Sequence, residues 1–309
     1  MTDLLTLGET MVSVRTARPM RLGGDAQLSI AGSESNVAIG VARLGHDVTW
    51  LSAVGNDEPG RLIRRTLRAE NVDVRVRFSD EAFTGFIAFD QPSHDITRVS
   101  YHRRGSAAST LTAEETTAAI AALSPTLLHV TGITPALSDT ARAATLAAVR
   151  TTDAQVSLDV NYRARLWSRT EAAATLRELL PHIQTVFASD DELDLLSDAE
   201  DPIADLLQTV HTVVVTAGGK GAWSHTRTPE PLTIHRPALP VTVVDSIGAG
   251  DAFVSGYLSA TLDNLSPEAR LDRATTSGAF CVTAYGDWES LPTREDLTLL
   301  THAQGTALR

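Results

Sequence analysis

The sequence is poor in the residues that build several common kinds of site. It has 309 residues, with one cysteine, Cys281, and one lysine, Lys220. A single cysteine cannot form a disulfide within the chain and argues against a cysteine-built zinc site. Its scarcity fits a reducing compartment, so we expect a cytoplasmic protein.

Positive charge and long apolar runs are also scarce. The formal net charge is -12, which argues against nucleic acid as a partner of the whole molecule. No stretch reaches the roughly 18–20 apolar residues that span a bilayer, so we expect no membrane partner. The first residues, MTDLLTLGET, lack a basic region followed by an apolar run, so we expect no signal peptide.

Familiar nucleotide and hydrolase motifs are absent from the sequence. A phosphate-binding loop of the form GxxxxGK[ST] needs a lysine before serine or threonine, but Lys220 precedes Gly221. The sequence contains no GxGxxG, because Phe253 stands where the third glycine would be, and no HExxH or GxSxG. Any phosphate site must therefore be built differently, and locally, against the net negative charge.

Short apolar runs alternate with longer helical patterns over most of the chain. LLTLG, TLLHV, QVSLDV, QTVFAS and HTVVVTAG read as strands, and SNVAIGVARLG reads as a helix ending near Gly45. This alternation predicts an α/β fold with a mainly parallel central sheet and helices on both faces. After Lys220 the sequence predicts two short antiparallel strands, then helices near 250–263, 267–284 and 293–302. No linker interrupts the chain, so we expect one domain over 1–309.

One region breaks the alternation. FTGFIAFD and ITRVSYHRR, within residues 83–104, are strand-like runs joined by QPSHD, which suits a hairpin turn. Together with residues 11–30 this hairpin is expected to form a small β lid. Its exposed strand edges would be covered by a second subunit, so we expect a homodimer or larger assembly.

The stretch DSIGAGDAF, Asp245–Phe253, combines a turn of small residues, Gly248 to Gly250, with an acid at a helix start. Glycines allow an anion to approach the unpaired amides of the first helical turn. Asp251 would repel that anion, unless the acid serves a hydroxyl that attacks a phosphate. Phosphoryl transfer needs both a cradle for the moving group and an acceptor for the nucleophile's proton. Alternatively, Asp251 is an ordinary helix-start acid beside a tight turn.

The stretch is one of several that together resemble the ribokinase-like carbohydrate kinase family. DSIGAGDAF is similar to the family's D-T-x-G-A-G-D, with Ser246 in place of threonine. GSESNVAIGVARLG from Gly32, VGNDEPG from Val54 and TAGGKGA from Thr216 resemble its other motifs. Their order and spacing cover the chain from about residue 4 to residue 297.

This resemblance implies roles for the residues around the GAGD stretch. Asp251 would be the base that takes a proton from the sugar hydroxyl. The backbone of Gly248, Ala249 and Gly250 would form the anion hole.

The resemblance also implies where the nucleotide and metal bind. Thr216, Gly218 and Gly221 would line the nucleotide site, and Mg²⁺ would neutralise the triphosphate of ATP. The family often carries N-x-x-E near the metal, whereas here Ser189 replaces the asparagine and Glu192 is retained. Glu192 would act on the metal, directly or through water; alternatively, it is a solvated helix acid. Activation by a monovalent cation such as K⁺ occurs in parts of the family, and the loop between Ala284 and Ser290 is where it would act.

Two further stretches, DVNYRARLW and YHRRGSAAS, resemble the 2-keto-3-deoxygluconate kinase branch of the family. Arg103 and Arg163 would clamp the carboxylate of a sugar acid. Alternatively, either arginine belongs to a surface or interstrand ion pair. Gly32 would allow close approach of the sugar and Asn36 would bond its hydroxyls. Tyr101 would bond the acid from the lid, or it is simply packed there.

The sequence therefore predicts an ATP-dependent kinase that phosphorylates a terminal hydroxyl of a sugar acid, with 2-keto-3-deoxygluconate as the expected substrate. A fructokinase or other neutral-sugar kinase is the alternative, because Ile87 stands where the branch often has a tyrosine. A catalytically silent sugar-binding relative is a second alternative. The intact GAGD argues against it, because a protein that only binds sugar has no need of the base.

Overall fold

The computed structural model describes residues 2–93, 96–229 and 231–301, and its centre is a nine-stranded sheet. The sheet order is β13-β12-β11-β10-β9-β8-β1-β4-β5. All neighbours from β5 to β11 run parallel, and β12 and β13 continue the sheet antiparallel. In this sheet the strands are β1 Leu4–Leu7, β4 Val48–Gly55, β5 Val72–Ser79, β8 Leu127–Thr131, β9 Gln155–Asp159, β10 Thr185–Ser189, β11 Thr212–Thr216, β12 Ala222–Thr226 and β13 Leu232–Arg236.

Helices cover both faces of this sheet, because its strands are apolar on both sides. Two separate apolar clusters result, one beneath α1, α2, α8 and α9 and the other beneath α3 to α7. The predicted α/β class, with a mainly parallel sheet between helices, is confirmed. The helices are α1 Ser33–Arg43, α2 Glu58–Ala69, α3 Ala113–Leu123, α4 Asp139–Thr151, α5 Arg169–Leu179, α6 Leu193–Leu196, α7 Pro202–Thr209, α8 Ala249–Leu262 and α9 Pro267–Cys281.

A second, four-stranded sheet stands apart from the first, and we call it the lid sheet. Its order is β3-β2-β6-β7, and β6 and β7 form the predicted antiparallel hairpin. Its inner face packs Met11, Ala31, Ile87 and Phe89 together, with Ile247 of the main domain against them. The strands are β2 Met11–Thr16, β3 Gln27–Ala31, β6 Phe86–Ser93 and β7 Ile96–His102, and His94 and Asp95 of the expected turn lie outside the described residues.

The C-terminal segment differs from the prediction. The helix expected near 293–302 is a short 3-10 helix over Asp296–Thr301, and residue 302 lies outside the described part. The helix expected to reach 284 ends at Cys281. Among the described residues, no helix combines the length and apolar character needed to cross a membrane.

Candidate active site

A cavity of about 440 Å³ opens between the carboxyl ends of the main-sheet strands and the lid sheet. Open α/β sheets place their ligands at this edge. The structure brings together here every residue predicted for catalysis, for the sugar and for the metal. Its lining includes Gly32, Asn36, Tyr101, Arg103, Arg163, Ser189, Glu192, Gly248, Ala249, Gly250 and Asp251.

Asp251 lies in the first turn of α8 with 9% of its surface exposed. Ser33 Oγ donates to Oδ1 at 2.6 Å, and Asn36 Nδ2 donates to Oδ2 at 2.8 Å. Both donors come from the first turn of α1, so two helix starts meet at this carboxylate. No arginine, lysine or histidine of the described residues forms an ion pair with Asp251. Its charge is therefore held in place by neutral groups and left available to a ligand.

Asn36 was expected to bond the sugar, but its amide nitrogen is bonded to Asp251. Its Oδ1 is buried and makes no hydrogen bond to the described residues. The structure thus places Asn36 first as a partner of the predicted base. Asn161 extends the same network, because its Nδ2 donates to Ser33 Oγ at 2.9 Å and to Asp159 at 3.0 Å.

The glycines before Asp251 shape the start of α8. Gly248 has φ of 78°, a left-handed conformation that side chains rarely adopt, and a Cβ there would lie 2.1 Å from the carbonyl oxygen of Asp287. Gly250 faces open space, since an added Cβ would meet nothing within 4 Å. First-turn amides have no partner within their own helix and carry the positive end of its dipole. The geometry therefore leaves room for an anion at these amides.

Two further acids, Glu192 and Asp159, line the cavity. Glu192 accepts from the backbone N–H of Tyr162 at 2.7 Å and of Ser189 at 2.9 Å, so it joins the loops that follow β9 and β10. It lines the cavity rather than projecting into solvent from a helix. Burial raises the pKa of Asp159 well above its usual value, and the neighbouring Glu192 and Asp251 carboxylates raise it further.

This acidic edge is compatible with Mg²⁺ bound mainly through water. No group of three or more histidine, cysteine, aspartate or glutamate side chains within the described ranges is arranged to hold a metal ion directly. Magnesium usually keeps several waters and takes one or two carboxylates plus substrate phosphates. Glu192 and Asp159 satisfy that requirement chemically, because their mutual repulsion would be relieved by a cation.

The two predicted arginines have different surroundings. Arg103 is 9% exposed and forms an ion pair with Glu9, a fully buried acid that also accepts from Ser106 Oγ. Arg103 is thus in an ion pair, although this pair joins the loop between β1 and β2 to the residue after β7 rather than two strands, and the residue still lines the cavity. Arg163 is exposed, donates to the carbonyl of Tyr162, and has no ion-pair partner in the part of the chain that is described. Arg163 is therefore the freer of the two for an anionic ligand.

Tyr101 lies on β7 and packs against the apolar cluster of the lid sheet, with Arg103 5.9 Å from its ring centre. It is half-buried and lines the cavity beside Ile87. Both its predicted roles, a packed residue and a contact at the lid, are compatible with this position.

A second, more apolar cavity of about 650 Å³ adjoins the first. The two cavities share Thr216, Ser246, Ala249 and Gly250. The predicted nucleotide residues Gly218 and Gly221 line the second cavity but not the first. Lys220 lies between them in sequence, yet its side chain is 77% exposed, and its one ion-pair partner in the described ranges is Asp190, at 4.0 Å. The glycine turn, rather than the Lys220 side chain, therefore forms the wall of the second cavity.

Sequence reasoning missed Asp287, which lines the first cavity next to the start of α8. Burial, with the nearby Asp251 and Glu289 carboxylates, raises the pKa of Asp287 to about 7. The loop that contains it was considered only as a place for a monovalent cation. Ser33, Asp159 and Asn161 were also missed, although Asp159 and Asn161 lie within DVNYRARLW, which was singled out.

Comparison with known proteins defines the class of this site. Residues 1–294 match the pfkB family of carbohydrate kinases, and the chain belongs to that family. It is 36% identical to a 2-dehydro-3-deoxygluconokinase of Bacillus subtilis (98% of this chain, 97% of the relative). It is 33% identical to a 2-dehydro-3-deoxygalactonokinase of Haloferax volcanii (92% of each).

Solved structures agree with this assignment. A PfkB protein from Polaromonas sp. JS666 superposes with a TM-score of 0.85 at 31% identity, over 96% of this chain and 99% of that one. A fructokinase with bound ATP from Xylella fastidiosa gives 0.84 at 25% identity, over 97% and 98%. The family resemblance seen in the motifs is confirmed along the whole fold.

Proposed function

We propose that this carbohydrate kinase transfers the γ-phosphoryl group of ATP to the terminal hydroxyl of a sugar acid, 2-keto-3-deoxygluconate. The observation that carries the proposal is the position of Asp251. It lines the first cavity next to Ala249 and Gly250, which line both cavities, and no cation of the described residues is paired to it. A base and an anion cradle side by side are what phosphoryl transfer requires.

In the proposed mechanism, the sugar occupies the first cavity and the triphosphate extends from the second. Asp251 takes the proton of the attacking hydroxyl, while Ser33 and Asn36 keep both carboxylate oxygens oriented. The amides of Ala249 and Gly250 would stabilise charge on the transferred group, the Ala249 amide by giving up its long hydrogen bond to the Ser246 carbonyl, at 3.4 Å. Mg²⁺, held near Glu192 and Asp159, would neutralise triphosphate charge.

The choice of a sugar acid rests on Arg163 and on the relatives. A guanidinium with no carboxylate partner can make two parallel hydrogen bonds to a carboxylate. The relatives named as kinases of 2-dehydro-3-deoxy acids cover most of both chains. Arg103 would contribute through the positive potential of its guanidinium, while it keeps its ion pair with Glu9. Asp287 would accept a hydrogen bond from a sugar hydroxyl beside the start of α8.

An acceptor screen with ATP tests this proposal. We expect kcat/KM for 2-keto-3-deoxygluconate to exceed that for fructose by at least about 100-fold, since the neutral sugar leaves Arg163 without its charge-assisted bonds. Arg163→Met should reduce the preference by raising KM for the acid. Arg165→Met is the matched control, because Arg165 donates to the Val99 carbonyl and lies outside the cavity lining.

The alternatives give different outcomes in the same screen. A fructokinase would prefer fructose and would be insensitive to Arg163→Met; the solved fructokinase that shares this fold makes this the second candidate. A silent sugar-binding protein would bind an acceptor in calorimetry without releasing ADP. Either result would remove the proposed function.

We further propose that two lid sheets pair to form a homodimer. The outer strands β3 and β7 each have one strand partner among the described residues, and Leu28 and Ile96 on them are 63% and 58% exposed. Open edges with apolar side chains favour pairing with another strand. Sedimentation velocity at working concentration should show a dimer that Leu28→Lys weakens. A wild-type monomer would contradict the proposal.

A cytoplasmic location, from the single buried cysteine, also remains a proposal.

A further inference from the structure

Two loops beside the start of α8 concentrate negative charge. Asp245 and Asp251 belong to the first loop and helix start, and Asp287 and Glu289 belong to the second. The loops are in contact, since the Asp287 carbonyl lies against Gly248. Burial raises the pKa of Asp287, and repulsion from the carboxylates of Asp251, Glu289 and Asp245 raises it further. An acidic cluster of this kind needs a compensating positive charge.

The lid sheet supplies one such charge. Arg15, on β2, places Nη1 3.0 Å from Asp245 Oδ2, with side-chain exposures of 18% and 10%. Its guanidinium lies 4.6 Å from the centre of the Phe89 ring, and this cation–π contact helps to hold the guanidinium in place. The positive charge of Arg15 also lowers the pKa of Asp287. Its Nη2 is buried and makes no hydrogen bond to the residues described, so a donor is left over for the cluster.

In the loop between Ala284 and Ser290, Glu289 and Ser290 are already hydrogen-bonded, whereas Asp287 lines the first cavity. Glu289 Oε1 accepts from Ser29 Oγ at 2.6 Å, and Oε2 accepts from the Trp288 amide at 3.2 Å. Ser290 Oγ is bonded to the Cys281 carbonyl at 2.9 Å. Asp245, beside this loop, is paired to Arg15, although its Oδ2 makes no hydrogen bond among the described residues. A monovalent-cation site in this loop stays a prediction, and the salt series below tests it against Arg15.

We propose that Arg15 is the resident cation of the phosphoryl-transfer loop and takes the place of a monovalent metal ion. The guanidinium neutralises Asp245 and holds the loop before Gly248 in the conformation that aligns the α8 amides. Ile247 packs against the lid cluster next to it, so the same loop is fixed to the lid by both charge and apolar contact. Arg15 is thus a positioning residue that acts through Asp245 and does not touch the reacting atoms.

The first test measures the wild-type protein in different salts. Turnover with the preferred acceptor, and the unfolding temperature, are measured in KCl, NaCl, NH₄Cl and choline chloride at one ionic strength. We expect kcat to vary by less than about twofold among the salts, since non-specific screening is the same in all of them. The unfolding temperature should likewise show no K⁺-specific rise. Activation by K⁺ of about fivefold or more over choline would overturn the proposal.

The second test removes the charge. Arg15→Met keeps the length and apolar contact of the side chain, and in choline chloride kcat should fall by about tenfold or more with little change in KM. Low concentrations of guanidinium or K⁺ should restore part of the loss. Arg15→Lys should remain close to wild type. Arg98→Met is the matched control: Arg98 is also a lid arginine paired to an aspartate, Asp90, but lies away from the loop.

These outcomes separate this inference from the proposed function on which it rests. If no acceptor is turned over in any salt, the proposed function fails. If turnover is normal but Arg15→Met keeps the wild-type kcat in choline, the resident-cation assignment fails while the kinase assignment remains. If Arg15→Met does not fold, the wild-type salt series and Arg15→Lys still decide the question.

Discussion

Replacing Asp251 by asparagine tests the central chemical assignment with the smallest change in shape. The present carboxylate accepts from Ser33 Oγ at 2.6 Å and from Asn36 Nδ2 at 2.8 Å. An asparagine can still accept from Ser33 through its oxygen. Its amide nitrogen would face the Asn36 nitrogen, so two donors would meet.

The structure provides a way to relieve that conflict. Asn36 Oδ1 is buried without a hydrogen bond among the described groups, so turning the Asn36 amide presents an acceptor to the new nitrogen. One neutral hydrogen bond then replaces one charge-assisted bond. We expect the stability to change by only about 1 kcal/mol in either direction.

The chemical cost is much larger, because asparagine cannot accept the proton of the attacking hydroxyl. Loss of a general base typically costs about 10²–10⁴ in kcat. That range corresponds to about 3–5 kcal/mol of transition-state stabilisation. We therefore expect a small change in the free energy of unfolding together with a large fall in kcat.

The assay measures ADP release at saturating substrates, with sugar binding by calorimetry and unfolding by thermal denaturation. Asp139→Asn is the control, because Asp139 is also a first-turn acid, on α4, but its side chain is 99% exposed. If Asp251 were merely such an acid, both variants would keep their turnover. A value of kcat for Asp251→Asn within about threefold of wild type would refute the reasoning.

Three further variants test the surroundings of this base. Gly248→Ala should lose most turnover and about 1–3 kcal/mol of stability, since it combines a left-handed φ with a Cβ 2.1 Å from the Asp287 carbonyl; denaturant titration and ADP release measure both. Ser33→Ala should lower kcat by about tenfold with KM nearly unchanged, because one charged hydrogen bond to Asp251 is lost; an unchanged kcat would contradict its orienting role. For Asp287, the folded pKa of about 7 lies above the ordinary value of 3.8, so the folded state holds an extra proton between them and stability falls as pH rises through that window. Asp287→Asn should therefore raise the unfolding temperature relative to wild type more at pH 8 than at pH 5, and an equal shift at both would contradict the assigned pKa.

Much of this site was predictable because its geometry is local in the chain. A turn of small residues, a helix start and an acid lie within seven residues, Asp245–Asp251, so a short stretch indicates the anion cradle, although Arg15 and Asp287 also contact it. Arg163 and Glu192 were selected through the family resemblance, and they meet at one edge because the parallel strands β9 and β10 end together. Arg103 was selected in the same way and reaches the cavity from the lid hairpin.

The remainder depended on contacts between residues far apart in sequence. Glu9 and Arg103 are 94 positions apart, and nothing in either stretch indicates that they pair. Arg15 and Asp245 are a similar case. Asp287 follows a helix that ends earlier than its pattern predicted, so the acid could not be located relative to the cavity. Arginine is abundant here, so composition gave no reason to select these particular partners.

The site places acids where an anion must react, and the structure shows how the charges can be reconciled. Asp159, Asp251 and Asp287 all line a cavity that would receive a sugar acid beside a triphosphate. Burial and mutual repulsion raise the pKa values of Asp159 and Asp287, so these two carboxyls carry less charge than exposed ones would. Positive potential then comes from aligned amides, from arginines that enter on loops and the lid, and from a metal that arrives with the nucleotide. Since the amides and arginines already line the cavity and only the metal would arrive with the nucleotide, the positive charge needed for transfer would be complete once ATP is bound.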